Sequence, residues 1–597
     1  MRRSLTAMLA LALGTIAASA GGETIVNADI TADTNWGSGV PCTLNNPVIL
    51  AKPIFVKNNA TLTIQAGCVV RGQPRQVAQQ PGQVAGTPGA LIVTQSGRIV
   101  VAGTKQNPVV LTTAATDNND DGIADDVDAN GFADAWDPGD TYLDDTPTTA
   151  PLAPLNKGTA AAGNSAGNLS LWGGLVILGN APTNLADRLG VGYGKGTVEG
   201  LTVPGFPAAD ATYGGVQPHD NSGSLRYLSI RHGGDEIGEG NELNGLTLAG
   251  VGDGTTIDSV EVYANFDDGI EWFGGTVHGK RLAVFFVGDD MFDVDQGYTG
   301  INQFLFGVAT FFNELDNANC TSGSGGNAPS QPYGSASGDK GGEWDGDDFN
   351  PDGTTFDGNL NVRLREDGNV GDPTPWPFSN PAFYNLTIIG ATLDASPAPD
   401  FQPTGNAAQC GDKRGLQARN GFAGSVYNSI VVNTGSEEGL EVDPDAGGEG
   451  APGFGADANA NAGLILLVCS TFDDTGALDA VEQTVVDNGN AYADALRGVS
   501  PPVAGNDNVI NGGFTGLAKE DQSFNPTGNT AGKLVAGLKS APVNPRPRGF
   551  VGTGGCPAPQ GPGLNTSATY RGAFPIGAPN LWTTGWTALN KAGLLAN

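Results

Sequence analysis

The sequence is poor in the residues from which helical proteins are built. Only 15% of its 597 residues are charged, and it contains just 3 methionines. Helix-forming Glu and Lys are scarce, whereas 92 glycines separate short runs of Val, Ile and Leu. This composition is typical of an all-β protein with many turns, and it argues against both a helical bundle and a disordered chain.

Basic residues are few as well. Lys and Arg number 29 against 63 Asp and Glu, so the formal net charge is −34 at pH 7. A field of that sign repels nucleic acids and anionic membrane surfaces, and it attracts divalent cations. We therefore expect no nucleic-acid partner and an extracellular or saline setting.

Long apolar runs are missing, since none reaches the roughly 18 residues that a membrane-spanning helix needs. The N-terminus instead resembles an export signal. Arg2 and Arg3 precede an apolar stretch from Leu5 to Ala17, and Ala18-Ser19-Ala20 forms an A-x-A cleavage site. We expect residues 1–20 to be a signal peptide cleaved near Ala20, which predicts a protein that is secreted or held at the outer surface of a bacterium.

Cysteine is rare, and no C-x-x-C pair occurs, which argues against a zinc or redox site. The six cysteines are Cys42, Cys68, Cys320, Cys410, Cys469 and Cys556. An even number in an exported chain favours disulfides. We expect each cysteine to pair with its neighbour in sequence, because contacts in a solenoid are local.

A repeat of about 22 residues occupies the middle of the chain. Three acidic pairs share a separation of 22 residues: Asp267 with Asp289, Asp268 with Asp290, and Glu271 with Asp293. Leu225 and Leu246 are 21 residues apart, and Leu282 and Phe304 are 22 apart. Such a period is about one turn of a parallel β-helix, so these acids should stack at the strand spacing of roughly 4.8 Å.

The strands and turns divide the chain into segments. After the signal peptide we expect N-terminal coils and a cap over 21–116, an acidic insertion over 117–145 and a linker over 146–168. The main β-helix should follow over 169–445, with a loop excursion at 314–358. We expect loops, a helix and late coils over 446–540, and a C-terminal cap over 541–597. Helical periodicity is convincing only at 474–497, where Leu478, Val481 and Val485 share one face.

Residues 117–137 contain two overlapping loops with oxygen donors at alternate positions. The donors are Asp117, Asn119, Asp121, Ile123, Asp125 and Asp128 in the first loop, and Asp126, Asp128, Asn130, Phe132, Asp134 and Asp137 in the second. A hard cation such as Ca²⁺ needs six to eight oxygens, a Gly makes the sharp turn, and Ile123 and Phe132 would each supply a backbone carbonyl. We predict structural calcium binding here; the alternative is a solvated acidic linker.

Six stretches resemble one protein family: residues 171–180 (LWGGLVILGN), 225–234 (LRYLSIRHGG), 265–275 (NFDDGIEWFGG), 288–293 (GDDMFD), 342–346 (GEWDG) and 570–574 (YRGAF). The family is a group of secreted bacterial proteins. The resemblance implies a right-handed parallel β-helix with long loop excursions, and it implies no particular reaction. We therefore expect an all-β solenoid with one short helical segment.

Stacked carboxylates cannot all stay ionised without compensation, and three arrangements provide it. Calcium could bind between them, one acid could keep a proton as catalytic pairs do, or the acids could cap turns by bonding their own backbone. In the catalytic case the acids would be Asp267, Asp268, Asp289 and Asp290. They would belong to a polysaccharide hydrolase or lyase, and Arg231 or Lys280 could be the base of a lyase.

Five further residues are candidates for ligand contact: Arg231, Glu271, Trp272, His278 and Trp344. The two tryptophans could stack on sugar rings or pack in the core, and a lone histidine is more often a hydrogen-bonded structural residue. Residues 340–348 could close over the acids. We expect a secreted, calcium-binding β-helix protein of the cell surface or matrix that contacts polysaccharide. The alternative is a hydrolase or lyase, and the sequence leaves open whether the protein is an enzyme.

Overall fold

The computed structural model describes residues 16–18, 22–75, 86–118, 124–125, 133–137, 140–144, 165–185, 194–198, 201, 208–235, 243–309, 340–346, 379–390, 415–419, 421–432, 439–443, 456–473, 478–496, 508–510, 543–547, 555–557 and 563–595. Within these ranges the chain winds into a parallel β-helix with three faces. The predicted all-β solenoid is confirmed.

Five long strands supply two faces of each central coil: Gly223–Arg231, Thr256–Tyr263, His278–Phe285, Ile301–Val308 and Ala382–Ile389. We call the face made by their first halves the first face, and the face made by their second halves the second face. Shorter strands extend the first face: Thr34–Trp36, Thr61–Gln65, Arg98–Ala102, Ser425–Tyr427 and Leu466–Val468. Others extend the second face: Thr24–Val26, Val48–Leu50, Val69–Gly72, Val109–Thr113, Ile430–Val432, Thr471–Asp473 and Val509–Ile510.

The third face is a nine-stranded parallel sheet. Its strands are Pro53–Val56, Ala90–Val93, Gly174–Leu178, Leu246–Ala249, Ile270–Phe273, Phe292–Asp295, Glu343–Asp345, Leu416–Arg419 and Leu440–Val442. Along each strand the side chains alternate between the interior and the outside. Leu248, Trp272, Val294 and Trp344 therefore stack in the core, each at most 1% exposed.

The remaining elements are short. Two small antiparallel pairs join Ala124–Asp125 to Ser165–Gly167 and Gly196–Thr197 to Thr212–Tyr213, while Ile16–Ala18, inside the predicted signal peptide, pairs antiparallel with Thr24–Val26. The described helices are Ala208–Ala211, Ala456–Asn461, Ala480–Leu496 and Ala588–Lys591. None of them is both long and apolar enough to cross a membrane.

The predicted helix at 474–497 is present as Ala480–Leu496. Its start is set by a reciprocal cap. The Asp479 carboxylate accepts from the amides of Val481 and Glu482 at 2.7 and 2.9 Å, and the Glu482 carboxylate accepts from the Asp479 amide at 2.6 Å. This arrangement is an Asp-x-x-Glu capping box.

A single left-handed residue turns the chain from the first face to the second. The register stacks seven such residues, each with a φ between 48° and 64°: Tyr227, Ser259, Arg281, Phe304, Asn385, Asn428 and Cys469. This conformation is unfavourable for residues with a Cβ, so the surrounding ladders must hold it in place. The bend changes the strand direction without a loop.

The observed register corrects two of the expected repeats. Leu225 pairs with Ile257 on the first face, and Leu246 pairs with Ile270 on the third. The 21 residues between Leu225 and Leu246 therefore separate strands of two different faces and not successive strands of one face. Leu282 pairs with Leu305, because Phe304 occupies the bend.

The outer side of the second face is apolar, and the C-terminal segment covers it. Phe285, Phe306 and Ile430 form one cluster with Phe574 and Leu589. Other contacts of residues 563–595 extend from Glu261 to Ser470, so the described part of the predicted cap lies along the side of several coils.

Glu261 anchors this segment from the second face. Its carboxylate is fully buried and accepts hydrogen bonds from the Ser229 hydroxyl at 2.6 Å and the Ala588 amide at 2.8 Å, with a longer contact to the Leu589 amide at 3.4 Å. Burial raises the pKa of Glu261, while Arg231 and these three donors oppose the rise.

Residues 133–137 and 140–144 cover earlier coils of the same face. Trp136 stacks on Tyr142 with centroids 5.3 Å apart, and the Arg71 guanidinium lies 4.0 Å from the Tyr142 ring. Asp144 forms a buried ion pair with Arg231 at 3.0 Å. Burial alone would raise the pKa of Asp144, but Arg231, helped by His232 and Arg71, holds that pKa below its usual range.

Two disulfides follow the predicted sequential pairing. Cys42 is bonded to Cys68, and Cys469 to Cys556. Cys320 and Cys410 lie outside the described residues, so their pairing stays a prediction.

Glu261→Ala should detach the C-terminal segment, because it leaves Ser229 and two backbone amides without their buried acceptor. We expect a loss of about 3–5 kcal/mol in the free energy of unfolding. Hydrogen exchange should show faster exchange at Ala588 and Leu589. Asp487→Ala, on the exposed side of the helix Ala480–Leu496, is the control. Unchanged protection at 588–589 in Glu261→Ala would contradict this assignment.

Candidate functional site

The acids predicted to stack do so at the corner between the second and third faces. Residues 264–269 form this corner in one coil, and residues 286–291 form it in the next. Glu271 pairs directly with Asp293 across the third face. The predicted 22-residue register is confirmed.

The carboxylates form two overlapping groups. Asp267, Asp268 and Asp289 each offer one oxygen within 4.8 Å of the others, and the same holds for Asp268, Glu271 and Asp293. Asp268 belongs to both groups. We call the stacked acids of this corner the acid ladder: Asp267, Asp268, Glu271, Asp289, Asp290, Asp293 and Glu343.

Some of these acids also act as turn acceptors. The Asp268 carboxylate accepts from the backbone amide of Asp290 at 2.9 Å, and the Asp290 carboxylate accepts from the amide of Lys340 at 2.7 Å. Each carboxylate therefore ties its own corner to the next coil. These bonds occupy single oxygens and leave the repulsion between the acids to be balanced in another way.

Three acids have strongly perturbed protonation. Burial, reinforced by neighbouring carboxylates, raises the pKa of Asp268, Glu271 and Asp293 well above ordinary carboxyl values. Asp293 keeps a partly exposed edge, yet protein atoms surround its carboxyl group closely enough for desolvation to dominate. Among the described residues no ion pair reaches any of the three. Such a set holds protons or a cation at neutral pH.

Among the ion pairs of the described residues, basic side chains meet the ladder at its upper end, toward the C-terminal coils. Lys340 contacts Glu343, and its Nζ lies 3.9 Å from the Asp290 carboxylate. Arg419 pairs with Asp345 at 2.8 Å and also contacts Glu343. The sequence included Lys340 only within a suggested lid and missed Arg419. The signal for Lys340 was the adjacent motif at 342–346, which supplies the next strand of the third face. Arg419 lies on the strand after that one.

Asn244 completes the lower end. Its Nδ2 donates to the Glu271 carboxylate and to Thr247 Oγ1. Its Oδ1 is buried without a hydrogen-bond partner in the part of the chain that the structure describes. A carboxylate set beside an amide oxygen matches the hard-oxygen donors that Ca²⁺ prefers.

The two tryptophans expected to contact sugars lie inside the β-helix. Trp272 is fully buried and stacks on Tyr298 at 5.3 Å between centroids, and Trp344 stacks on Phe383 at 4.5 Å. Trp272 points inward because it lies two residues after the inward Ile270 on its strand. Trp344 points inward because it is in register with the inward Val294. Their predicted role as a stacking platform is wrong, and core packing is correct.

The basic and histidine candidates are also remote from the acids. Arg231 is buried in its ion pair with Asp144. His278 lies on the first face, where its Nδ1 accepts from the Ile301 amide at 3.1 Å. Lys280, on the same face, donates to the Gly563 carbonyl at 2.8 Å. The suggestion that Arg231 or Lys280 is a lyase base is therefore wrong.

His232 is structural, as expected for a lone histidine. Its Nδ1 lies 2.8 Å from the Asn168 carbonyl, and burial lowers the pKa of His232 to about 4. The ring is therefore neutral at physiological pH and does not act as a cationic ligand-binding group.

The tandem loops at 117–137 are described in part. The Asp125 carboxylate is buried and accepts from the Asn118 amide at 2.7 Å and the Thr116 hydroxyl at 3.2 Å. Asp117, Asp134 and Asp137 are also described, whereas Asn119, Asp121, Ile123, Asp126, Asp128, Asn130 and Phe132 lie outside the described residues. Calcium binding by this segment stays a prediction.

Residues 41–123 and 159–333 match the model of a family described as the pectate-lyase-like beta helix domain. The chain is similar to that domain. The match supports a parallel β-helix family and fits a polysaccharide-related function. It includes the acids from Asp267 to Asp293 and ends before Lys340 and Arg419. A comparison with curated proteins found no match.

Trp344→Ala should destabilise the protein through a cavity beside Phe383 and Phe422. The expected cost is about 3–5 kcal/mol in the free energy of unfolding, measured by the denaturant midpoint. Trp344→Phe keeps most of the packing and should cost less. If Trp344→Ala instead left the unfolding midpoint unchanged, the assignment of this side chain to the core would fail.

Proposed function

We propose that the protein is an exported β-helix of the cell surface or extracellular matrix that binds calcium at the acid ladder and contacts polysaccharide there. The observation that carries this proposal is the pair of overlapping carboxylate groups that share Asp268. Three of these carboxyls have raised pKa values and no ion-pair partner among the described residues. A divalent cation would neutralise them at neutral pH.

The donor set suits calcium better than a softer metal. Carboxylate oxygens of Asp268, Glu271 and Asp293 and the amide oxygen of Asn244 are hard ligands, and Ca²⁺ tolerates irregular geometry. The lower end of the ladder contains neither Cys nor His in the described residues, so zinc or copper is less well matched. The tandem loops at 117–137 would hold additional structural calcium.

Polysaccharide contact follows from the electrostatics together with the similarity to the pectate-lyase-like domain. A protein with a net charge of −34 repels an acidic polymer unless a cation lies between them. Calcium held by protein carboxylates can also accept oxygens from a sugar. Asp267, Asp289 and Asp293 are partly exposed, and a polymer could reach the ladder at these carboxylates.

An enzymatic role is the second candidate, as a polysaccharide hydrolase or lyase. Two features favour it. Raised pKa values would keep one of Asp268, Glu271 and Asp293 protonated near neutrality, as general acid catalysis needs. Each of the three places one carboxyl oxygen within 4.8 Å of the others, so two of them could act on one bond. Lys340 is the basic side chain placed to assist.

Calcium should raise the melting temperature, and more at pH 7.5 than at pH 5. The folded pKa values of Asp268, Glu271 and Asp293 lie above their unfolded values, so without metal stability falls as pH rises from about 4 through the folded pKa values. Calcium replaces the lost protons and removes this fall. Thermal unfolding with calcium or with chelator, at both pH values, measures this rise in melting temperature.

Glu271→Gln should remove most of the calcium-induced shift at the ladder. Glu441→Gln, farther along the same face, should keep it. An equal calcium response in wild type, Glu271→Gln and Glu441→Gln would contradict calcium binding at this corner, even if the loops at 117–137 bind the ion.

Binding and turnover can be separated on a panel of acidic and neutral polysaccharides, assayed with and without chelator. We expect calcium-dependent retention without turnover in wild type, and weakened retention in Asp289→Asn with an unchanged melting temperature in chelator. Release of shortened or unsaturated products by wild type, abolished by Asp289→Asn, would instead establish the enzyme. Retention that changes neither with chelator nor in Asp289→Asn would refute a calcium-dependent sugar site.

A further inference from the structure

Arg231 lies at the centre of a buried network on the outer side of the second face. It is the last residue of the strand Gly223–Arg231, and its side chain is completely buried. Two guanidinium nitrogens bond to different partners: Nη1 donates to the Asp144 carboxylate at 3.0 Å, and Nε donates to the Ser229 hydroxyl at 2.9 Å. The guanidinium presents its donors in a rigid planar fork, so this one side chain fixes two partners relative to each other.

One of these partners belongs to the acidic insertion. Asp144 is buried, and its carboxylate also accepts from the Thr112 hydroxyl at 3.1 Å. Two bonds tie the residues before it to the start of the Asp-rich loops. The Thr141 amide donates to Asn118 Oδ1 at 2.9 Å, and the Asp117 amide donates to the Thr141 carbonyl at 3.0 Å. The position of Asp144 therefore depends on how the insertion is held.

The other partner leads to the C-terminal segment. The Ser229 hydroxyl, which accepts from Arg231, donates to the Glu261 carboxylate at 2.6 Å. That carboxylate accepts from the Ala588 amide at 2.8 Å. Burial acts to raise the pKa of Asp144 and of Glu261, and in both cases Arg231 is the largest opposing influence. One guanidinium thus stabilises the anchors of both covering segments.

We infer that Arg231 couples the acidic insertion to the C-terminal segment, so that each is held more firmly when the other is in place. If residues 140–144 loosen, Arg231 loses the carboxylate that orients it, and the bonds from Ser229 to Glu261 and on to Ala588 weaken. The reverse effect must be equal in size, because a coupling free energy between two sites is reciprocal. An ion that orders the loops at 117–137 would then also tighten the segment that covers the apolar second face; only this last step rests on the proposed function.

Amide hydrogen exchange of the full-length protein in chelator measures the coupling. Asp144→Asn should speed exchange at the Ala588 amide roughly tenfold, within the range for residues of one bonded network, although the substitution lies on the other segment. Glu261→Gln should speed exchange by a similar factor at the Leu143 amide, which donates to the Ala115 carbonyl at 2.9 Å. Wild-type rates at Ala588 in folded Asp144→Asn would overturn the inference. If Asp144→Asn does not fold, wild-type rates at Leu143 in Glu261→Gln would do so.

Two further variants separate coupling from a general loss of structure. Asp140→Asn changes the same segment, but the Asp140 carboxylate accepts from the Asp137 amide at 2.9 Å within its own turn, so exchange at Ala588 should keep the wild-type rate. Ser229→Ala removes the hydroxyl that links the two halves of the network. In that background Asp144→Asn should leave exchange at Ala588 close to its rate in Ser229→Ala alone, and a further tenfold rise would contradict the route through Arg231.

Calcium tests the regulatory step, in Glu271→Gln so that the acid ladder does not contribute. Adding the ion should slow exchange at Leu143 and Ala588 together, and with Ser229→Ala added it should slow exchange at Leu143 alone. Slowing confined to Leu143 without Ser229→Ala would overturn the coupling. Failure of the proposed function is distinct: calcium would then change neither amide, while the variants in chelator still decide whether the segments are coupled.

Discussion

In-register parallel pairing is the constraint on which the rest of this molecule depends. Each coil places a residue directly above its counterpart, so Asp293 lies over Glu271 and Glu343 over Asp293. Like charges are then held at strand spacing whether or not they repel. The raised carboxyl pKa values at one end and the buried cations at the other are two answers to the same enforced stacking.

The same constraint explains why the β-helix needs covering segments. Stacking also aligns apolar residues, and on the second face it produces an outward apolar surface that includes Phe285, Phe306 and Ile430. Residues 563–595 cover it in the central coils, and residues 133–137 and 140–144 cover the earlier coils. Buried polar groups fix both segments, the Glu261 carboxyl in one case and the Arg231–Asp144 ion pair in the other.

The sequence revealed the ladder where consecutive coils have equal length. Asp267 and Asp289 stood out because no insertion separates their coils. Glu343 and Arg419 were missed as partners because long segments precede their strands, so no fixed period links them to Asp293. The inward position of Trp272 was predictable from the alternation of Ile270, Glu271 and Trp272. The buried partner of Arg231 was not, since Asp144 is 87 residues away.

The two kinds of corner differ in how many residues they can contain. From Gly223 to Ile389 the bend between the first and second faces is always one residue, and inserting there would break both ladders. The acid corner, by contrast, ranges from six residues at 264–269 to 34 at 309–342, and the strands on either side stay paired. The chain can therefore be longer beside the carboxylates while the strands of the β-helix keep their pairing.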